Sequence, residues 1–191
     1  MKYLLCDVDD TILNCADSLQ QFIGEQYGLF SEERLKDHHN IAKLFGVEHS
    51  RAMEMVLDFH RSDYIGNMTP LDCAATVLPE LYKAGYKFVA ITACLNEIQT
   101  VERRRRNLND VFGIEWEAIH CIGMVPSKRA QLEMYPASIW VDDLWHHAAD
   151  GMEIGHKSFV MDRPYNRHED HPEITRVTNW HEIMEKINES Q

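Results

Sequence analysis

Five short apolar runs, separated by longer amphipathic stretches, constrain the fold of this 191-residue chain more than any other feature. They are Tyr3 to Cys6, Tyr86 to Ile91, Ala118 to Ile122, Ser138 to Val141 and Lys157 to Met161. Each is too short for a helix. Near-continuous apolar strands belong in a parallel sheet covered on both faces, and their alternation with helices gives an α/β layer fold. One helix is expected to open with Thr69 as its cap, Pro70 at its first position and Asp72 as a box partner. Ala75, Leu78, Leu81 and Tyr82 give it apolar spacing, Pro79 interrupts it, and Gly85 stops it. Ile98 to Leu108, Arg129 to Tyr135 behind a Ser127 cap, and Trp180 to Ile187 read as further helices.

Residues 14–68 break the alternation. Leu19, Phe22 and Ile23, then Ile41, Leu44 and Phe45, then Met53, Val56, Leu57 and His60 fall at helical spacing. Gly28 and Gly46 read as helix stops. The expectation is a core of residues 1–13 and 69–191 with a helical cap, 14–68, inserted after the first strand.

Charge narrows the function. Thirty-one acidic and 19 basic residues give a net charge of −12, which repels polyanions and disfavours broad nucleic-acid or anionic-membrane binding. No apolar run approaches the length of a membrane span, and the acidic start does not read as a signal peptide. Cys6, Cys15, Cys73, Cys94 and Cys121 show no CxxC spacing, so free thiols in a reducing cytoplasm are expected.

The chemistry gathers at strand ends, where ligands bind in open parallel sheets. Asp7-Val8-Asp9-Asp10-Thr11 follows the first run directly. Alternation sends Asp7 and Asp9 the same way, and two close carboxylates repel unless a cation sits between them or one is protonated. A hard, oxygen-seeking ion such as Mg2+ suits them. The second run ends at Thr92, the fourth at Asp142-Asp143, and Lys128 opens the helix between the third and fourth. A carboxylate nucleophile, a hydroxyl, a lysine and a metal suit phosphoryl transfer.

These ordered motifs resemble those of the haloacid dehalogenase superfamily of aspartate-nucleophile phosphatases. The resemblance implies a three-layer Rossmann-like core with strand order 5-4-1-2-3. Within the superfamily the chain is most similar to the 5'(3')-deoxyribonucleotidases. The features carrying that likeness are the helical insert, Thr92-Ala93-Cys94, the run Phe159 to Arg167, and Val177-Thr178-Asn179-Trp180.

The resemblance implies that Asp7 attacks phosphorus and that Asp9 is the acid and then the base. Thr92 binds a phosphoryl oxygen and Lys128 neutralises charge. Mg2+ is held by Asp7, the Asp9 carbonyl and Asp143, with Asp142 outside the direct ligands. Asp10 and Thr11 set the turn. Ala93, Cys94, Arg163, Phe30 and Phe45 are further substrate-contact candidates, with Phe22, Tyr27, Phe59 and Tyr64 as other cap aromatics. The expected substrate is a small phosphate ester, a deoxynucleoside 5'- or 3'-monophosphate first. A sugar phosphate or a polynucleotide 3'-phosphate is the same-mechanism alternative, and a non-catalytic phospho-aspartate switch the alternative of another class.

Two clusters read as bland. Arg103 to Arg106 occupy four directions around a helix and are expected on a solvated surface. The pairs His38-His39 and His146-His147 are expected as surface histidines.

Overall fold

The computed structural model describes residues 2–38, 40–71 and 73–189. Six strands form one parallel sheet: β1 (Lys2–Cys6), β2 (Tyr86–Thr92), β3 (Trp116–Cys121), β4 (Ile139–Asp142), β5 (Lys157–Met161) and β6 (Thr175–Val177). Their order, β3-β2-β1-β4-β5-β6, contains the expected 5-4-1-2-3 and extends it by one edge strand. β6 is three residues long, too short to leave an apolar signature, and pairs with β5 from Phe159↔Thr175 to Met161↔Val177.

Alternation along the strands builds two cores. Leu4, Cys6, Phe88 and Ala90 face one side, with Leu78 and Leu81 of α5 (Ala74–Lys83), Leu108 and Phe112 of α6 (Ile98–Phe112), and Trp180 and Ile183 of α9 (Trp180–Asn188). Leu5, Val89, Ile91 and Trp140 face the other, with Leu132 of α7 (Arg129–Leu132). Val160 packs with Ala148 of α8 (Trp145–Glu153) on a neighbouring patch. Three layers result, as the apolar strands require.

Between β1 and α5 the chain folds into α1 (Cys15–Tyr27), α2 (Leu35–His38), α3 (Ile41–Phe45) and α4 (His49–Arg61), followed by a 3-10 turn at Asp63–Gly66. Gly28 and Gly46 end α1 and α3 in the left-handed conformation that glycine adopts without strain. Phe22 meets Tyr27, Phe59 and Tyr64 edge to face, so these rings form the insert's own core.

Two helix boundaries, the start of α5 and the end of α7, depart from expectation. α5 begins at Ala74, not Pro70, because the chain leaving and the chain re-entering the core run side by side there. Asn14 N donates to Thr69 O (2.9 Å), Leu71 N donates to Ile12 O (2.9 Å), and Pro70 bridges Leu13. Thr69 and Pro70 are thus committed to extended pairing, and Asp72 lies outside the described residues. The buried side chains of α5 are Ala74, Val77, Leu78 and Leu81, whereas Tyr82 is exposed. α7 stops at Leu132, short of Tyr135, as the chain tightens into i→i−3 bonds ahead of Pro136. Ser127 Oγ does accept Arg129 N at its start (3.2 Å).

All five cysteines are free thiols, and no helix among the described residues is long and apolar enough to cross a membrane.

Candidate active site

Parallel register aligns the strand ends. Cys6 pairs with Ala90 on one side and Val141 on the other, so Asp7 and Asp142 emerge at one height. Asp7 N donates to Val141 O (2.9 Å). The chain then turns sharply: Ile12 N and Leu13 N both donate to Val8 O. Asp10 sits at φ +56°, a left-handed conformation that Asp tolerates better than most residues. Its Oδ1 accepts Ala16 N (2.9 Å) and so caps α1 from outside. Arg163 Nη2 donates to Asp10 O (2.8 Å) and staples the turn to the loop after β5.

Asp7, Asp142 and Asp143 are all buried, with carboxylate oxygens within 4.8 Å of one another. Lys128, 2% exposed, hydrogen-bonds Asp7 Oδ1 and lies 2.8 Å from Asp142 Oδ2. Thr11 Oγ1 lies 3.3 Å from both Asp7 Oδ2 and Asp143 Oδ1 and shares its one proton between them, while Tyr165 Oη donates to Asp143 Oδ2 and Leu144 N to Asp142 Oδ1 (2.7 Å). One ammonium is thus shared by Asp7 and Asp142, with the Asp143 carboxylate beside them. Burial pushes Asp7 and Asp142 up to about 7 against the pull of Lys128. The surplus negative charge is the kind a divalent cation offsets, and the all-oxygen donors fit Mg2+.

Asp9 has different surroundings. Arg104 Nη2 lies 2.6 Å from its Oδ1 and 2.9 Å from its Oδ2, and Thr92 Oγ1 donates to Oδ2 (3.1 Å). Burial opposes its charge, but Arg104 and the Thr92 hydrogen bond hold its carboxyl below the usual range.

Asp7, Asp9, Lys128 and Asp143 line one cavity of about 440 Å³, with Asp10, Ala93 and His147. Its opposite wall comes from the insert: Leu19, Leu35, Ile41, Ala52, Met53, Val56 and Phe59, with Asn40, His49 and His60 as polar groups. Thr92, expected to face the phosphoryl group, is fully buried and points its hydroxyl at Asp9. Four expected substrate contacts do not line the cavity. Cys94 is fully buried behind the β2 end, Phe30 is 82% exposed against Gly24, Phe45 packs on the insert's core, and Arg163 serves the turn. Burial excludes Cys94 from the surface although its thiol, hydrogen-bonded to Cys121, falls to about 7.

Arg105, Arg106, His38 and His146 are exposed as expected, whereas Arg104 and His147 are not. Arg104 has no exposed surface, because it shares the buried stripe Thr100, Arg104, Leu108, Phe112 of α6. A charge at four-residue spacing from two core side chains is the signal that marks it. Arg103 pairs with Asp63 (2.9 Å). His147 is 2% exposed and lines the cavity, its side chain kept neutral by burial beside Lys128. His60 is likewise buried, lowered to about 4, and its Nδ1 accepts Leu95 N (3.4 Å). His38 pairs with Glu33 on the surface, and His39 lies outside the described residues.

No family model matches the chain. It is 29% identical over 195 residues to the uncharacterized 32.4 kDa protein of the Gp30-rIII intergenic region of Enterobacteria phage T4, covering 96% of this chain and 69% of that protein. Among solved structures it is similar to a haloacid dehalogenase-like family hydrolase from Streptococcus pneumoniae (TM-score 0.69, 13% identity, 98% of each chain). It is also similar to D,D-heptose 1.7-bisphosphate phosphatase from B. bronchiseptica complexed with magnesium and phosphate (0.61, 11%, 100% of each). A third is CbbY from Rhodobacter sphaeroides in complex with phosphate (0.58, 17%, 96% of each). With its six-stranded parallel sheet, the chain has the haloacid dehalogenase-like fold.

Proposed function

We propose that this chain is a Mg2+-dependent phosphomonoesterase acting through an aspartyl-phosphate on Asp7, with a deoxynucleoside monophosphate as the first substrate class to test. One observation carries the reading: Asp7, Asp9, Lys128 and Asp143 converge on the floor of one cavity roofed by the insert. Asp7 Oδ attacks phosphorus, and the P–O bond to the leaving group breaks as Asp9, which takes up a proton when the anionic ester enters beside it, gives that oxygen the proton. Asp9 then takes a proton from water, the water oxygen attacks phosphorus, and Asp7 and phosphate separate. Lys128 stabilises the charge on Asp7 and on the phosphoryl oxygens. Asp7, Asp143 and the Asp9 carbonyl would hold Mg2+, since Asp142 is bound to Lys128 and Leu144 N and does not line the cavity. When bound, Mg2+ neutralises charge on the attacking carboxylate and the phosphoryl group.

The cavity volume falls within the ~300–1,000 Å³ of small-molecule sites. Among the described residues its insert wall carries no lysine or arginine, so a second phosphate would enter without a partner charge. This favours a single-phosphate ester with a mostly apolar leaving group, and counts against bisphosphates and polynucleotides. A phospho-switch would have no use for Asp9. The test is phosphate release from nucleoside 5'- and 3'-monophosphates, sugar phosphates and a 3'-phosphorylated oligonucleotide, with and without EDTA. EDTA-sensitive release from mononucleotides supports the reading. Release from sugar phosphates alone removes the nucleotide assignment, and no release from any ester removes the activity.

A further inference from the structure

The four consecutive arginines of α6 divide their work. Arg103 Nε reaches Asp63 Oδ1 (2.9 Å) in the arm that returns from the insert. Arg104 turns inward and puts one nitrogen, Nη2, against both oxygens of Asp9. A fully buried guanidinium carries a large desolvation penalty that only a well-placed anion offsets. The thiols of Cys15, Cys94 and Cys121 lie around it and are weak acceptors, so Asp9 is its counter-charge.

The same face of α6 seats the insert. Thr100 Oγ1 donates to His60 O (2.9 Å), and Asn107 Nδ2 donates to Met68 O (3.0 Å). Thr100, Arg103, Arg104 and Asn107 stand at i, i+3, i+4 and i+7, the spacing of one helix face. A single rigid element therefore holds both the Asp9 carboxylate and the returning arm.

Asp9 sits on a tight turn and needs such a holder. Proton transfer requires its oxygen within hydrogen-bond reach of the leaving group and then of water, at a fixed angle. Thr92 Oγ1 fixes one oxygen, and Arg104 contacts both. Arg104 does not line the cavity, so it does not reach the substrate itself. Resting on the phosphomonoesterase reading, we propose that Arg104 is a positioning residue for the reaction: it orients the Asp9 carboxylate for both proton transfers from behind the cavity wall.

A kinetic double-mutant cycle tests this, using Arg104→Met, Arg104→Lys, Asp9→Asn and Asp9→Asn with Arg104→Met, in Mg2+ and on the best ester of the panel. Arg104→Met is expected to lower kcat roughly 100-fold or more, the scale of general acid–base catalysis, with KM changed less than about threefold. Arg104→Lys is expected to recover part of that loss. In the Asp9→Asn background, Arg104→Met should cost less than about twofold more, because a residue acting only through Asp9 has nothing left to position. Arg104→Met leaves Asp9 without its partner and can fail to fold. The doubly substituted chain and Arg104→Lys avoid that charge imbalance, and circular dichroism melts verify each variant. Costs that multiply, a kcat unchanged in folded Arg104→Met, or a loss confined to KM would overturn the proposal. An inactive wild type removes the phosphomonoesterase reading and this proposal together, whereas an active wild type with multiplying costs removes the Arg104 role alone.

Discussion

Replacing Lys128 with methionine keeps most of the stem and removes the one ammonium shared by Asp7 and Asp142. Both carboxyls are buried, and Lys128 itself is 2% exposed. Removing one partner of a buried ion pair costs about 3–5 kcal/mol. The variant can escape part of that by taking up protons, so its loss of stability depends on pH. The sign is fixed by the direction of the shifts. Asp7 and Asp142 stand raised to about 7 even with Lys128 in place, and without it they rise further. An acid whose folded pKa is raised stabilises the fold below its unfolded value and loses that contribution as pH climbs to the folded pKa. Below about pH 6 both proteins hold these carboxyls protonated in the fold and differ little. Above pH 7 the wild type has passed its pKa values while the variant continues to lose about 1.4 kcal/mol per pH unit for each carboxyl. Two carboxyls over about two pH units give ~5 kcal/mol near pH 9, the upper end of the pair-breaking estimate. Urea titrations in EDTA read this directly. With a slope near 2 kcal/mol/M, the midpoint gap should be roughly 2.5 M at pH 9 and close to zero at pH 6. A gap of equal size at both pH values would refute the shared-ammonium argument.

Further outcomes follow from the same geometry. Mg2+ should raise the melting temperature more at pH 8 than at pH 6, because protons compete with the ion for Asp7 at the lower pH; equal shifts in thermal melts would contradict this. Gly151→Ala should cost about 1–3 kcal/mol in urea unfolding, since the added methyl would stand 2.4 Å from Trp140 Cδ1 and 2.9 Å from Ser158 Oγ. Met53→Lys places a cation on the apolar insert wall and should raise KM for a nucleoside monophosphate roughly tenfold while favouring esters with a second phosphate. Unchanged selectivity in steady-state assays would show that the leaving group does not meet that wall.

The convergence of Asp7, Asp142 and Thr92 at one sheet edge is readable because strand ends are local. An apolar run ending in Asp7, Thr92 or Asp142 names both the element and the sheet edge, and parallel order then brings those residues together. What escaped depends on contacts distant in sequence. Thr69 and Pro70 have the chemistry of a helix start, yet pairing with Asn14 and Leu13 overrides it. β6 is legible only through its partner β5. Arg104 was hidden among three other arginines, and its partner Asp9 is 95 residues away. Among the aromatic candidates of the insert, Phe59 lines the cavity, and the rings of Phe22, Tyr27, Phe59 and Tyr64 pack on one another, a contact pattern that helical spacing alone does not specify.

The proposed mechanism stands on covalent phosphorylation of Asp7. The most direct measurement is rapid acid quench of the protein turning over a labelled phosphate ester in Mg2+, with Asp9→Asn included to slow release, followed by peptide mass spectrometry. The account predicts one phosphoryl group on the peptide bearing Asp7, labile to hydroxylamine, and none on Asp7→Asn. A phosphoryl group on another residue, or full-rate phosphate release by Asp7→Asn, would contradict it.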